Sequence, residues 1–139
     1  LLKKTEQTTY INTILATGPI RTLMNHLTSK GLHSWLFFAK RELDRKANYL
    51  GYIDKLDLAG KGLILKQHTI LSDTKDAPEV NMFVGTSPEL ETALYTLCFM
   101  ARPDRSCKMR YNNIPFTINV KTLRSENIIL IDTAYPTFP

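Results

Sequence analysis

Apolar residues along this chain keep two periods, helical in the first third and alternating through much of the rest. Between Thr5 and Thr17, the residues Gln7, Tyr10, Ile11, Ile14 and Leu15 recur at helical spacing. Gly18-Pro19 breaks the chain and restarts it, with Pro19 suited to a first helical position. Ile20, Leu23, Met24 and Leu27 then form the i, i+3, i+4, i+7 stripe of a second helix over 19–30, which Gly31 stops. A third helix is expected over 34–50. Its buried stripe would be Leu36, Ala39, Leu43, Ala47 and Leu50, and Gly51 would end it. Its wet face pairs Lys40 with Asp44 and Glu42 with Lys46 at i+4.

The period then shortens to two. Tyr52–Leu58 and Leu63–Leu71 are expected as strands joined by the turn Ala59-Gly60-Lys61-Gly62. Residues 72–78 are expected as a polar loop and Val80–Val84 as a short strand. Ser87-Pro88-Glu89-Leu90-Glu91 combines a capping hydroxyl, a first-turn proline and two carboxylates at a positive helix end. That helix should run to about Ala101, where Arg102-Pro103 ends it. Beyond it, Cys107, Met109 and Tyr111 alternate with Lys108 and Arg110. After a turn at 112–115, Phe116, Ile118 and Val120 alternate with Thr117, Asn119 and Lys121. Ile128–Ile131, apolar on both faces, is expected as a central strand. The fold class is α+β: N-terminal helices packed on an antiparallel sheet built from two hairpins, with one further helix at about 87–101.

At 139 residues, 43% apolar and 22% charged, the chain has the size and composition of one globular domain, taken as 1–139. It lacks an initial methionine and ends in Tyr135-Pro136-Thr137-Phe138-Pro139, the pattern of an extended linker entry, so a piece of a longer polypeptide is expected. No apolar run approaches the roughly 18 residues of a membrane span. The first thirty residues lack a signal-peptide pattern. Cys98 and Cys107 do not make a disulfide framework. One bridge between them is conceivable, but two reduced thiols are expected. An intracellular location follows, in cytoplasm or nucleus, of a cell or of an infected host.

Charge sharpens this picture. Residues 73–91 carry a net −4 (Asp73, Asp76, Glu79, Glu89 and Glu91 against Lys75). Residues 102–124 carry +5, equal to the net charge of the whole chain. The expected pairing puts Lys108, Arg110 and Lys121 on one outward face beside Asn119, with Arg102, Arg105 and Arg124 at its ends. Such a face attracts polyanions. With Tyr111 and Phe116 expected inward, it suits phosphates better than bases. An ordinary solvated face is the competing reading, and a contact with the acidic segment of a second copy is a third.

Two patterns resemble known folds. The helices at 19–30 and 34–50 with the following hairpin resemble a winged helix-turn-helix in element order. However, Trp35-Leu36-Phe37-Phe38 stands where a recognition helix presents polar groups. Pro103-Asp104 followed by Asn119-Val120-Lys121 resembles the PD-(D/E)xK nuclease pattern. That resemblance implies Mg²⁺ held by Asp104 and by Glu89 or Glu91, with Lys121 near the attacked phosphate. Asn119 stands in place of the second acid. His26, His33 and His68 lack metal-ligand spacing and are expected as surface or cap histidines. Cys98 is expected in the core, and no adjacent histidine supports Cys107 as a nucleophile.

The expectation is therefore a non-enzymatic interaction domain without a cofactor. It would bind nucleic acid or an anionic membrane surface through Arg102, Arg105, Lys108, Arg110, Asn119, Lys121 and Arg124. Self-association is a further expectation, and the composition suits a viral or phage protein. The alternative is a Mg²⁺-dependent nuclease.

Overall fold

The computed structural model describes residues 32–71, 76–125 and 128–139. The helices expected at 5–17 and 19–30, and His26 with them, lie outside the described residues. So do residues 72–75 of the loop expected over 72–78. Its remainder, 76–78, is strand rather than loop, because Asp76 and Ala77 pair with Ile70 and Thr69.

The described elements are α1 (Trp35–Leu43), β1 (Ala47–Asp57), β2 (Leu63–Leu71), β3 (Asp76–Val84), α2 (Pro88–Ala101), β4 (Ser106–Tyr111), β5 (Ile114–Ser125) and β6 (Ile128–Thr137). The strands form two antiparallel three-stranded sheets: sheet A in the order β1-β2-β3, and sheet B in the order β4-β5-β6. This is the expected α+β class. The sheets approach each other through β3 and β6.

Local chemistry explains most of the elements. Ser87 caps α2 by accepting from the Leu90 amide at 3.2 Å, and Pro88 opens the helix. Ala59 and Gly60, both at positive φ, turn β1 into β2. Asn112 and Asn113 do the same between β4 and β5. Paired positive φ values match the twist of a two-residue hairpin.

Helix α1 departs from expectation. It ends at Leu43, and Ala47 to Leu50 are strand. The Arg45 amide donates to the Glu42 carbonyl and the Lys46 amide to the Arg41 carbonyl, with Arg45 at φ 56°. This is a Schellman stop, a site where glycine is usual. Because arginine fills it, the residue type does not announce the stop. The expected stripe fails with it: Leu43 is 85% exposed and Leu36 44%, while Phe38 is the residue of α1 that is buried. Lys40 does pair with Asp44, at 3.1 Å. Glu42 instead accepts the Tyr49 amide at 3.1 Å, and Gly51 sits inside β1 next to a register shift.

Sheet B differs in three respects. β5, not β6, is central, and Ile129 on β6 is exposed. Tyr135 to Thr137 belong to β6, paired along β5. Tyr111, expected inward, is 39% exposed at the hairpin end.

Two cores result. The larger packs Cys107, Phe116, Ile118 and Val120 of sheet B against Tyr95 and Cys98 of α2, with Leu58, Ile64 and Phe83 of the first hairpin region and β3. The smaller joins Leu32 and Phe38 to Ala47, Leu71, Ala77, Val80 and Met82. Cys98 is core, as expected, but it is not a thiol. It is bonded to Cys107, with Cα atoms 5.7 Å apart, which ties the end of α2 to the start of β4. Reduced thiols therefore do not support a location in cytoplasm or nucleus. No described helix is long and apolar enough to cross a membrane.

Candidate active site

His33 stands where the two sheets meet. Its neighbours hold it there. Leu32 is buried in the smaller core, and Ser34 bridges to Phe83 of β3. The Trp35 indole donates to the Thr86 carbonyl at 2.9 Å. The His33 Nδ1 is 2.6 Å from the Asn81 carbonyl oxygen, and the ring stacks on Tyr135 of β6 at 4.7 Å between centroids.

A carbonyl oxygen can only accept, so Nδ1 carries the proton and Nε2 keeps its lone pair. Burial holds the imidazole pKa below its ordinary 6.5, and the Asn81 hydrogen bond opposes this only in part. The ring is accordingly neutral at pH 7, with a basic nitrogen in a defined tautomer. Those are the properties of a general base.

The polar surroundings come from both sheets. Lys66 lies opposite Asn81 in the β2–β3 register and pairs with Glu79 at 3.0 Å. Glu79 also accepts from the Asn81 side chain at 3.2 Å, and these contacts hold its carboxyl below the usual carboxylate range. On sheet B, Tyr135 lies opposite Asn119, and Asn119 opposite Ser106. Opposed residues of antiparallel strands share a face. The face that carries Asn119 is therefore the face on which His33 rests.

The expected basic residues divide among three places. Register puts Lys108 beside Thr117 and Arg110 beside Pro115, with Lys121 two residues beyond Asn119, all on this outer face. Asn119 donates to the Thr137 hydroxyl at 2.9 Å. Arg102 caps the C-terminus of α2, and Arg105 follows in the connecting turn. Arg124 lies past the register shift that follows Lys121.

The metal-nuclease set is not assembled. Glu89 and Asp104 flank opposite ends of α2, whose 14 residues span about 21 Å. Both Asp104 oxygens are engaged by Thr122, Oδ1 by its amide at 2.8 Å and Oδ2 by its hydroxyl at 2.5 Å. Those bonds lower its pKa, with Lys121 and Arg124 adding to the effect. Glu91 is buried, 1% exposed, and accepts from the Thr86 hydroxyl at 2.6 Å. Burial raises its pKa to about 7. No cluster of three or more His, Cys, Asp or Glu side chains fit to hold a metal ion occurs among the described residues. His68 pairs with Asp76 on the surface, as expected of a surface histidine. His33 was missed because its partners are distant in sequence, Asn81 being 48 residues away. A lone histidine before a helix cap carries no signal by itself.

Known proteins resemble the chain over most of its length. The profile of the family described as Endoribonuclease XendoU matches residues 28–136. A uridylate-specific endoribonuclease EndoU of Drosophila melanogaster is 31% identical over 107 residues, covering 76% of this chain and 33% of that protein. Uridylate-specific endoribonuclease C of Xenopus laevis is 35% identical over 98 residues, covering 66% and 30%. The chain thus spans about a third of the length of these relatives. The solved structure of XendoU, described as a splicing-independent snoRNA-processing endoribonuclease, superposes with a TM-score of 0.58 at 22% identity. It covers 93% of this chain and 53% of that one, and supports the fold. These matches overturn the expectation of a non-enzymatic domain, because the matched family and relatives are RNA-cleaving enzymes. The relatives named here are animal proteins and lend the viral or phage reading no support. The nuclease alternative is nearer to them, without its proposed residues.

Proposed function

The chain belongs to the Endoribonuclease XendoU family, and on that premise we propose that it contributes His33 as the general base of RNA cleavage. The observation that carries this reading is the fixed tautomer of His33, whose Nδ1 proton is held by the Asn81 carbonyl. RNA brings its own nucleophile, the ribose 2′-hydroxyl. A neutral imidazole takes that proton through Nε2 as the 2′-oxygen attacks phosphorus. The bond from phosphorus to the 5′-oxygen then breaks, the leaving oxygen takes a proton from solvent water, and the His33 imidazolium returns its proton to solvent. The products are a 2′,3′-cyclic phosphate and a free 5′-hydroxyl. Tyr135 and the Asn81 carbonyl hold the ring in place through that step.

The relatives named above are uridylate-specific, so single-stranded RNA containing uridylate is the substrate proposed for this chain. His33→Ala should lower cleavage of such an RNA by ~10²–10⁴-fold, the usual contribution of a positioned base. The wild-type rate should rise with pH through a pKa below 6.5 and level off near neutrality. A His33→Ala variant that cleaves at the wild-type rate overturns the assignment.

A further inference from the structure

The cations of sheet B that composition marks as a polyanion surface lie on the face on which His33 rests, and that shared placement gives the charge a more specific role. Resting on the reading above and deepening it, we propose that the outer face of sheet B is a track for single-stranded RNA that leads to His33, with Lys108 and Lys121 holding phosphates on either side of the Ser106–Asn119–Tyr135 row.

Register supplies the geometry. Ser106, Asn119 and Tyr135 form one row across all three strands, ending beneath the His33 ring. One row to one side, Lys108 heads the row through Thr117 and Thr137. One row to the other side, Lys121 lies opposite Thr133. With strands about 4.8 Å apart and a rise of about 3.4 Å per residue, the Cα of Lys121 lies about 8 Å from that of Tyr135 and the Cα of Lys108 about 12 Å. The cations are therefore close enough to act on phosphates adjoining the one at His33, and not on that one alone.

Charge supplies the ligand. Lys108 and Arg110 are exposed and have no ion pair among the described residues, unlike Lys40 and Lys66. Asp104 lies near Lys121 and Arg124, so Lys121 is the weaker phosphate holder and most of the uncompensated charge of the track is at Lys108 and Arg110. Between the cations the face offers hydroxyls and the Asn119 amide, which suit ribose and base edges. Tyr111, two residues beyond Met109, falls on the other face by alternation. Most of the track therefore grips the backbone, and its affinity should depend on salt more than on sequence.

The test uses the full chain and a labelled single-stranded RNA long enough to cross the sheet, with anisotropy read at two salt concentrations. Lys108→Glu with Arg110→Glu should weaken binding ~10-fold or more and reduce the slope of log affinity against log salt by about one to two. Lys55→Glu with Lys61→Glu makes the same change in net charge away from this face, and should leave affinity within about twofold, as expected for charges outside the contact. In cleavage, the advantage in kcat/KM of the long RNA over a dinucleotide should narrow in the sheet B variant. Matched melting curves check that both variants fold. Equal weakening by the two pairs, or an unchanged salt slope, overturns the track. Binding to vesicles of anionic phospholipid without binding to RNA also overturns it. Salt-sensitive RNA binding through this face without any cleavage leaves the track standing and removes the assignment of His33.

Discussion

Alternate residues of the same three strands make both faces of sheet B, and the faces differ in every physical respect. Inward, Cys107, Phe116, Ile118 and Val120 are each 7% exposed or less and pack with α2. Outward, Lys108, Arg110 and Lys121 stand in solvent, and Asn119 and Tyr135 are half-buried near His33. The inner face stabilises the fold through apolar burial. The outer face contributes little to stability and is free to carry charge. A strand's two-residue period lets one segment do both without compromise between them.

The comparison breaks most strongly from the inside. Ile118→Ala removes a fully buried side chain and should cost ~2–5 kcal/mol of unfolding free energy, measured by denaturant titration. Its RNA affinity, measured well below the melting temperature, should stay near wild type. If affinity collapses while the protein remains folded, the two faces are not independent.

Glu91 tests the same core by pH. Its pKa rises from 4.5 to about 7 on folding, chiefly through burial. A raised pKa means that the folded state binds the proton more tightly. The stabilisation is complete below pH 4.5 and is lost as pH rises through about 7. Glu91→Gln keeps an acceptor for Thr86 and should remove this loss, gaining up to ~3 kcal/mol at pH 8 over wild type. His33 has the opposite sign. Its lowered pKa makes stability fall as pH drops below 6.5. Denaturant midpoints from pH 4.5 to 8 should show the Glu91 contribution vanish in the variant. An unchanged profile would place Glu91 in water.

The disulfide offers the smallest effect. Cys98 and Cys107 are nine residues apart, and closing so short a loop contributes ~2–3 kcal/mol by chain entropy. Cys98→Ala with Cys107→Ala should lower the melting temperature accordingly and leave the salt dependence of RNA binding unchanged. A changed salt dependence would show that β4 needs this tether to present Lys108.

Much of this architecture was legible in the residues. The Ser87-Pro88 start of α2, the turns at 59–60 and 112–113, and the alternation of β4 and β5 all follow from local preferences. Local preference also explains the failures. Helical spacing of Ala47 and Leu50 extended α1 too far, because the Arg45 stop depends on a backbone conformation that arginine does not advertise. The disulfide was equally hidden, since its cysteines meet only when α2 lies along the inner face of sheet B.

By itself the sequence determined which residues alternate, and so which cations share a face, because side-chain direction along a strand is a local property. The tertiary structure decided what that face adjoins. His33 gains its tautomer from a carbonyl on β3 and its ring contact from β6. Proton position and burial both depend on partners that only the docking of one sheet beside the other brings together.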